Sequence, residues 1–430
     1  MSAPNRTRSE RHTSTGSNSD ITLKMPLRDG IAATAMTLLS FVIALFTSGA
    51  SRLTWNGATN WFAIPETVVP SKPVAFILTV VAAAATAWIW KKSFDREKAS
   101  GWLLVIVALA FVVTFLVSTV AGKDSSHLPM ISLLTGTIAL GTPLVFGSLC
   151  GVVCERSGII NIAIEGQLLF GAFLAAVMAS VTGSAYLGLV GGAIAGMLVA
   201  VLLALFTVNF RSDNIVVGVV LNMLVLGMTS FLFSTVLKAN PEVLNSSHSL
   251  PVLRIPILAD IPVIGPVLFN QSLLVYLMFI AVIGLQFMVF NSRWGLRMRA
   301  CGEHPKAADT VGIKVNATRW RNVIIAGAFA GLGGAFFTIG QGLAFSKDMA
   351  AGNGFIALAA MILGRWNPKG AFAAALLFGF ATNLGQIMQA VGTPVPSEFL
   401  LMIPYLITIL AVAGFVGAVR PPAAEGVPYP

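Results

Sequence analysis

Charge is what this chain has least of: only 10% of its 430 residues are Asp, Glu, Lys or Arg, and Asp and Glu together number 17. A soluble protein of that length needs a far more polar surface, so a water-soluble fold is excluded. Cysteine and histidine are scarce as well. Cys150, Cys154 and Cys301, with the scattered His12, His127, His248 and His304, offer no cluster with the four-ligand spacing of a structural zinc site, and no metal site or disulfide is expected. No GxxxxGK[ST] phosphate loop occurs, and GRWNPKG (Gly364 to Gly370) lacks both its spacing and the Ser or Thr after Lys. Nucleophile elbows and HExxH pairs are also missing, so nothing calls for chemistry on a substrate. The expectation is a chain that is not an enzyme and holds no cofactor. Any ATP used would be bound and hydrolysed by a partner subunit.

What is present in excess is apolar surface: 56% hydrophobic residues and a mean hydropathy of +0.84. Residues 1–26 are rich in Ser, Thr, Asn and Arg without an apolar stretch, and read as a disordered cytoplasmic tail. Apolar runs long enough to cross ~30 Å of hydrocarbon fall near 30–49, 73–90, 101–121, 129–150, 159–180, 186–208, 214–237, 272–291, 322–342, 355–364, 371–390 and 399–418. The fold class is therefore an all-α polytopic membrane protein with about 10–12 transmembrane helices. The formal net charge of +10 sits beside apolar segments rather than along a soluble face, which points to lipid surroundings and cytoplasmic loops, not to nucleic acid. Alternating twelve spans places the N-terminus, the loop with Lys91, Lys92, Arg96 and Lys98, and the loop from Arg293 to Arg321 on that cytoplasmic side. The Pro-rich loop from about Lys238 to Gln271 falls opposite, where it could dock an extracytoplasmic partner.

Two places break the pattern of simple spans: Thr142 to Phe173 (TPLVFGSLCGVVCERSGIINIAIEGQLLFGAF) and Gly354 to Phe380 (GFIALAAMILGRWNPKGAFAAALLFGF). Each is an apolar run, a short Gly or Pro interruption and another apolar run. That is the form of broken helices which present backbone polar groups to a solute near the midplane. Asn161 and Glu165, four apart, would share one face of a helix. A carboxylate in hydrocarbon costs ~2.5 to 3.5 kcal/mol, so Glu165 should face protein, water or the interface. The pair reads either as pathway lining or as ordinary helix-end residues. Glu155 and Arg156 read as a solvated loop pair. Asn222 is either interhelical glue or part of the pathway. The glycines Gly327, Gly331, Gly333 and Gly334 read as a close-packing surface.

Four segments carry a family resemblance: ERSGIINIAIEGQLLFGAF (Glu155 to Phe173), RIPILADIPVIGPVLFNQ (Arg254 to Gln271), GLRMRACGEHPKAADTVGI (Gly295 to Ile313) and GFIALAAMILGRWNPKGA (Gly354 to Ala371). The chain resembles permease subunits of ABC importers of the branched-chain amino acid and ribose type, nucleoside branch, over residues 129–420. ERSG resembles the second of the two permeases such importers pair. The resemblance implies a permease core at 129–420; the front of the chain departs from it with extra N-terminal spans at 27–121, and 421–430 reads as a short cytoplasmic tail. The resemblance also implies a substrate pathway near Asn161 and Glu165, with Trp366 and Asn367 from the second interruption, to which Asn222 is added on its own reading. A cytoplasmic coupling helix is implied at Gly302, Glu303, His304, Pro305, Lys306, Ala307, Ala308 and Gly312. The implied partners are an ATP-binding subunit, a second related permease and a lipid-anchored solute-binding protein, in a bacterial-type plasma membrane, with solute moved by alternating access. A simple-sugar or amino acid importer of the same build, or an ion-coupled secondary transporter, are the alternatives.

Overall fold

A backbone amide in hydrocarbon has no water to bond, so a chain this apolar must satisfy its peptide groups within helices. The computed structural model describes residues 27–55, 64–97, 100–122, 127–246, 248–391, 402 and 420–430. In these the helices are α1 (Leu27–Phe46), α2 (Ser71–Phe94), α3 (Gly101–Val120), α4 (Met130–Arg156), α5 (Ile164–Thr182), α6 (Ala185–Ala204), α7 (Asn214–Leu232), α8 (Pro241–Leu244), α9 (Leu273–Asn291), α10 (Arg293–Glu303), α11 (Pro305–Thr310), α12 (Val315–Ala335), α13 (Asn353–Leu363) and α14 (Pro368–Ala390). Among the described residues, 10 helices are long and apolar enough to cross a membrane. The chain is an all-α polytopic membrane protein.

Three expected spans differ in detail. The span expected at 159–180 begins only at Ile164, because Gly158 turns the chain away first. That expected at 355–364 is the 11-residue α13, which at ~1.5 Å per residue reaches about halfway across a bilayer. The span expected at 399–418 lies outside the described residues, apart from Met402.

Helix α4 is the axis of the larger core, with every residue from Gly141 to Glu155 buried. Packed around it are α5, α12, α13 and α14. The expected glycine surface holds two neighbours together: a Cβ on Gly331 would collide with the Gly192 carbonyl on α6, and one on Gly327 with the Ala200 methyl. Small residues let these helices approach until backbone meets backbone, the source of packing energy where lipid supplies no hydrophobic drive.

Helices α1 to α3 form a separate bundle around Ala33, Ala82, Ala85, Ile89, Leu104, Val107 and Ala110. Its link to the rest is a small sheet, β1 (Ala50–Thr54) antiparallel to β2 (Thr67–Pro70) and parallel to β3 (His127–Pro129). Beside it, Leu116, Val120, Leu128, Leu133, Leu384 and Met388 pack α3 against α4 and α14. In the loop before α9, β4 (Val252–Arg254) pairs antiparallel with β5 (Asn270–Ser272).

Candidate functional site

The first interruption starts where α4 ends. Gly158 has φ +94°, a left-handed conformation that only glycine adopts freely. Its N–H bonds the Glu155 carbonyl (2.9 Å) while the Ile159 N–H bonds the Cys154 carbonyl (3.2 Å), the paired bonds of a Schellman ending. The chain then turns back along α4 to start α5 beside Gly147, where a Cβ would lie 2.7 Å from Ala357 and 3.3 Å from Ile164. From Gly147 to Arg156 the helix rises ~14 Å, so α5 begins near half the depth of a ~30 Å core.

Asn161 is therefore in the returning loop, not on a helix, and does not share a helical face with Glu165. It is fully buried. Its Nδ2 donates to Gln167 Oε1 at 3.0 Å and to Cys150 Sγ at 3.2 Å, and Cys150 Sγ–H donates to the same Gln167 oxygen at 3.2 Å. This polar knot fixes the loop against α4 and α5.

Glu165, in the first turn of α5, does something else. Its Oε1 accepts from the Gly352 N–H at 2.8 Å and its Oε2 from the Gly354 N–H at 2.6 Å. These amides belong to the start of α13, whose N-terminal N–H groups lack partners within the helix and whose dipole favours an anion. The carboxylate thus caps a half-helix at mid-depth and joins the two interruptions. Asn222 on α7 accepts from the Gly166 N–H (2.8 Å) and donates to the Ile162 carbonyl (2.9 Å), bracing the same turn from outside.

The second interruption is a tight corner. Arg365 (φ +57°) and Trp366 (φ +52°) are consecutive left-handed residues without glycine's freedom, each costing ~1 to 2 kcal/mol. Compensation comes from α4. The Trp366 ring, 6% exposed, donates its Nε1–H to Glu155 Oε2 at 2.5 Å, and Arg156 Nε donates to the Trp366 carbonyl at 2.9 Å. Glu155 and Arg156 are therefore not a solvated loop pair: Glu155 is buried, because Trp366 packs over it from 211 residues away. Asn367 caps α14, its side chain accepting from the Lys369 N–H at 3.0 Å, with Pro368 in the first turn.

The basic stretch from Arg293 folds as α10 and α11 against the same end of the molecule. Pro305 occupies the first turn of α11. Gly312 (φ +85°) ends it with a second Schellman pair, Gly312 N–H to Asp309 O (2.8 Å) and Ile313 N–H to Ala308 O (3.1 Å). Ala308 is buried with Cys301 and Val315, whereas Glu303, His304, Lys306, Ala307 and Gly312 are exposed, as is Val311 at 75%. Gly302 is buried where a Cβ would collide with the Arg156 carbonyl oxygen, so α10 rests directly on the end of α4. A groove of about 800 Å³ beside α11 is lined by Arg293, Arg297, Lys314 and Arg321 with Leu296 and Val311, a cationic and apolar surface open to a partner.

The structure thus joins Glu165, Asn161 and Asn222 around one turn, and Trp366 and Asn367 around another. Sequence reasoning missed Gln167, two residues beyond Glu165, and Arg319. Arg319 passes for one more loop cation in NATRWR, yet it is 1% exposed and donates to the Ser157 carbonyl (3.2 Å) and the Val427 carbonyl (2.9 Å). A clue lay in its place one helical turn after Val315, on the side that α12 buries.

Comparison with known proteins places these features in a lineage. The family model described as branched-chain amino acid transport system / permease component matches residues 133–412. The nucleoside ABC transporter permease protein NupC of Lactococcus lactis subsp. cremoris is 40% identical over 308 residues, covering 69% of this chain and 96% of that protein. The guanosine ABC transporter permease protein NupQ of Bacillus subtilis is 38% identical over 307 residues, with the same 69% and 96% coverage. NupP of Bacillus subtilis, also a guanosine ABC transporter permease protein, is 29% identical over 286 residues, covering 65% of this chain and 80% of that protein. No solved structure matches.

Proposed function

Because the chain belongs to the permease component family of branched-chain amino acid transport systems, it is a transport subunit rather than an enzyme, and we propose that its solute is a nucleoside. The observation that carries this reading is the 40% identity to a nucleoside permease across 96% of that protein's length. Similarity to both NupQ and NupP of Bacillus subtilis, at 38% and 29% identity, supports a partnership with a related permease, and we propose from ERSG that this chain is the second of the pair. The full importer would then comprise this chain, a related permease, an ATP-binding subunit and a lipid-anchored solute-binding protein. It would sit in a bacterial-type plasma membrane with the N-terminus cytoplasmic.

The mechanism we propose uses the two interruptions as the moving part. Glu165 holds the start of α13 at mid-depth, where a half-helix end and a broken chain offer polar groups to a solute. The pathway assignment covers Asn161, Glu165, Asn222, Trp366 and Asn367. Of these, Glu165 is best placed, since its carboxylate is only part-buried. The residues from Gly302 to Gly312 present an exposed surface for the ATP-binding subunit, while Gly302 and Ala308 anchor that surface to α4 and α12. ATP-driven closure of the partner would push α10 and α11 against the end of α4 and re-aim both interruptions between two states. The basic groups Arg156, Arg293, Arg297, Arg365 and Lys369 gather at this one end, which supports a cytoplasmic placement.

Uptake of labelled nucleosides by native cells with and without this chain, with ribose and glucose as competitors, tests the solute. Loss of uptake that neither sugar competes for is the expected result. Unchanged nucleoside uptake would overturn the solute assignment and leave the family standing.

A further inference from the structure

Residues 420–430 do not hang free. The Ala424 N–H donates to the Gly302 carbonyl at 2.8 Å and the Ala423 N–H to Glu303 Oε2 at 3.2 Å, so one edge of the segment is bonded to the end of α10. The Gly426 N–H donates to the Gly158 carbonyl at 3.0 Å, so the other edge is bonded to the first interruption. Arg319 ties the two together from α12, reaching Ser157 with Nε and Val427 with Nη1. Beyond it, Tyr429 packs on the Cys301, Ala308 and Val315 cluster that anchors α11. Pro421, Pro422, Ala423 and Glu425 also roof a cavity of about 520 Å³ whose other walls include Glu155, Ile160 and Trp366. The segment thus touches α10, α11, α12 and both interruptions.

We infer that residues 420–430 are a strap that locks the α10–α11 segment to the loop after α4, so that force delivered to α10 reaches the first interruption instead of dissipating as sliding. The physical need is specific. Gly302 meets the Arg156 backbone without a side chain between them, and two bare backbones in contact can slip. Hydrogen bonds from one short segment to Gly302 on one side and Gly158 on the other fix their register. A buried guanidinium that has lost water must keep its carbonyl partners, so Arg319 holds the strap as firmly as the loop. This inference rests on the reading of α10–α11 as the surface that meets the ATP-binding subunit.

The test compares the intact importer complex in lipid vesicles with two variants of this chain, one lacking residues 421–430 and one carrying Gly426→Val. Gly426 has φ +72°, and a Cβ there would lie 2.8 Å from Ile160 Cδ1, so valine unseats the strap without touching a membrane span. We expect ATP hydrolysis within about twofold of the intact complex, while solute imported per ATP falls tenfold or more. We also expect the ATP-dependent change in hydrogen exchange at residues 157–163 to vanish. Unchanged solute per ATP and an unchanged exchange response in either variant would overturn the strap. If the truncated chain does not assemble, Gly426→Val decides. If the intact complex imports no nucleoside, the solute assignment fails, and the exchange response, which needs no solute, still decides. An intact complex whose 157–163 exchange ignores ATP would also overturn it.

Discussion

The two interruptions solve one problem in different ways. Both must reverse the chain without leaving buried amides unpaired, since an unsatisfied group away from water costs several kcal/mol. Residues 157–163 do it with a glycine turn: Gly158 reverses the chain, Asn161, Gln167 and Cys150 bond one another through their side chains, and Asn222 and Arg319 reach the loop's carbonyls from neighbouring helices. Residues 364–367 pair their amides locally, Arg365 N–H with the Ile362 carbonyl, Trp366 N–H with Met361 and Asn367 N–H with Gly364, but without a glycine at the left-handed positions. They hold two left-handed non-glycine residues and draw on α4, through Glu155 and Arg156. Both loops are thus held from outside, the first by α7, α12 and residues 420–430 and the second by α4, and the first also props the second by capping α13 through Glu165. A movement of α4 or α5 therefore reaches the second corner through Glu155, Arg156 and Glu165.

The link between the two can be broken most severely at Glu165. Glu165→Ala strips the partners from two amides of α13, each worth ~1 to 3 kcal/mol when left unmet. Uptake at matched membrane level should drop more than tenfold, and Glu165→Gln, which keeps the shape and one good acceptor, should recover part of it. Next in size is Trp366→Phe, which preserves the ring's packing but removes the N–H that faces Glu155. We expect a loss of about 1 to 3 kcal/mol in thermal stability of the detergent-solubilised protein. An unchanged melting temperature would show that the second corner does not depend on α4.

A milder perturbation is pH. Burial pushes the Glu425 carboxyl up from its ordinary range, so the seated strap holds that proton more tightly than a free segment would. Of the other groups lining the cavity it roofs, the one that titrates is Glu155, a second carboxyl rather than a cation. Seating is therefore fully favoured at low pH and weakens as pH rises through the raised value. Exchange at residues 423–427, corrected for its intrinsic pH dependence, should increase across that range, and Glu425→Gln should flatten the response. The smallest effect is expected at Arg365→Gly. Relief of the left-handed strain and the extra freedom of the unfolded chain oppose each other, leaving a change within ~1 kcal/mol.

Some of this was legible in the residues. The two interruptions were marked by Gly and Pro within apolar runs, and the helix implied by the family resemblance within Gly302 to Gly312 is α11, with Pro305 in its first turn. The glycines of α12 read correctly as packing. Asn161 was misplaced on a helix because the apolar run continues through Ile159, Ile160 and Ile162 while the backbone does not, and hydropathy carries no φ angle. Glu155 was misjudged because a carboxylate beside an arginine reads as solvated until a tryptophan from elsewhere covers it.

By itself, then, the sequence settled what local chemistry settles: an apolar chain that must be helical, the points where proline and glycine interrupt it, and the family to which its motifs belong. The tertiary structure decided which end meets which. Glu165 with Gly352, Glu155 with Trp366, and Arg319 with Val427 join positions 187, 211 and 108 residues apart. No periodicity reports such pairs, because a carboxylate or guanidinium finds its partner only when packed helices exclude water and leave it one acceptor or donor within reach.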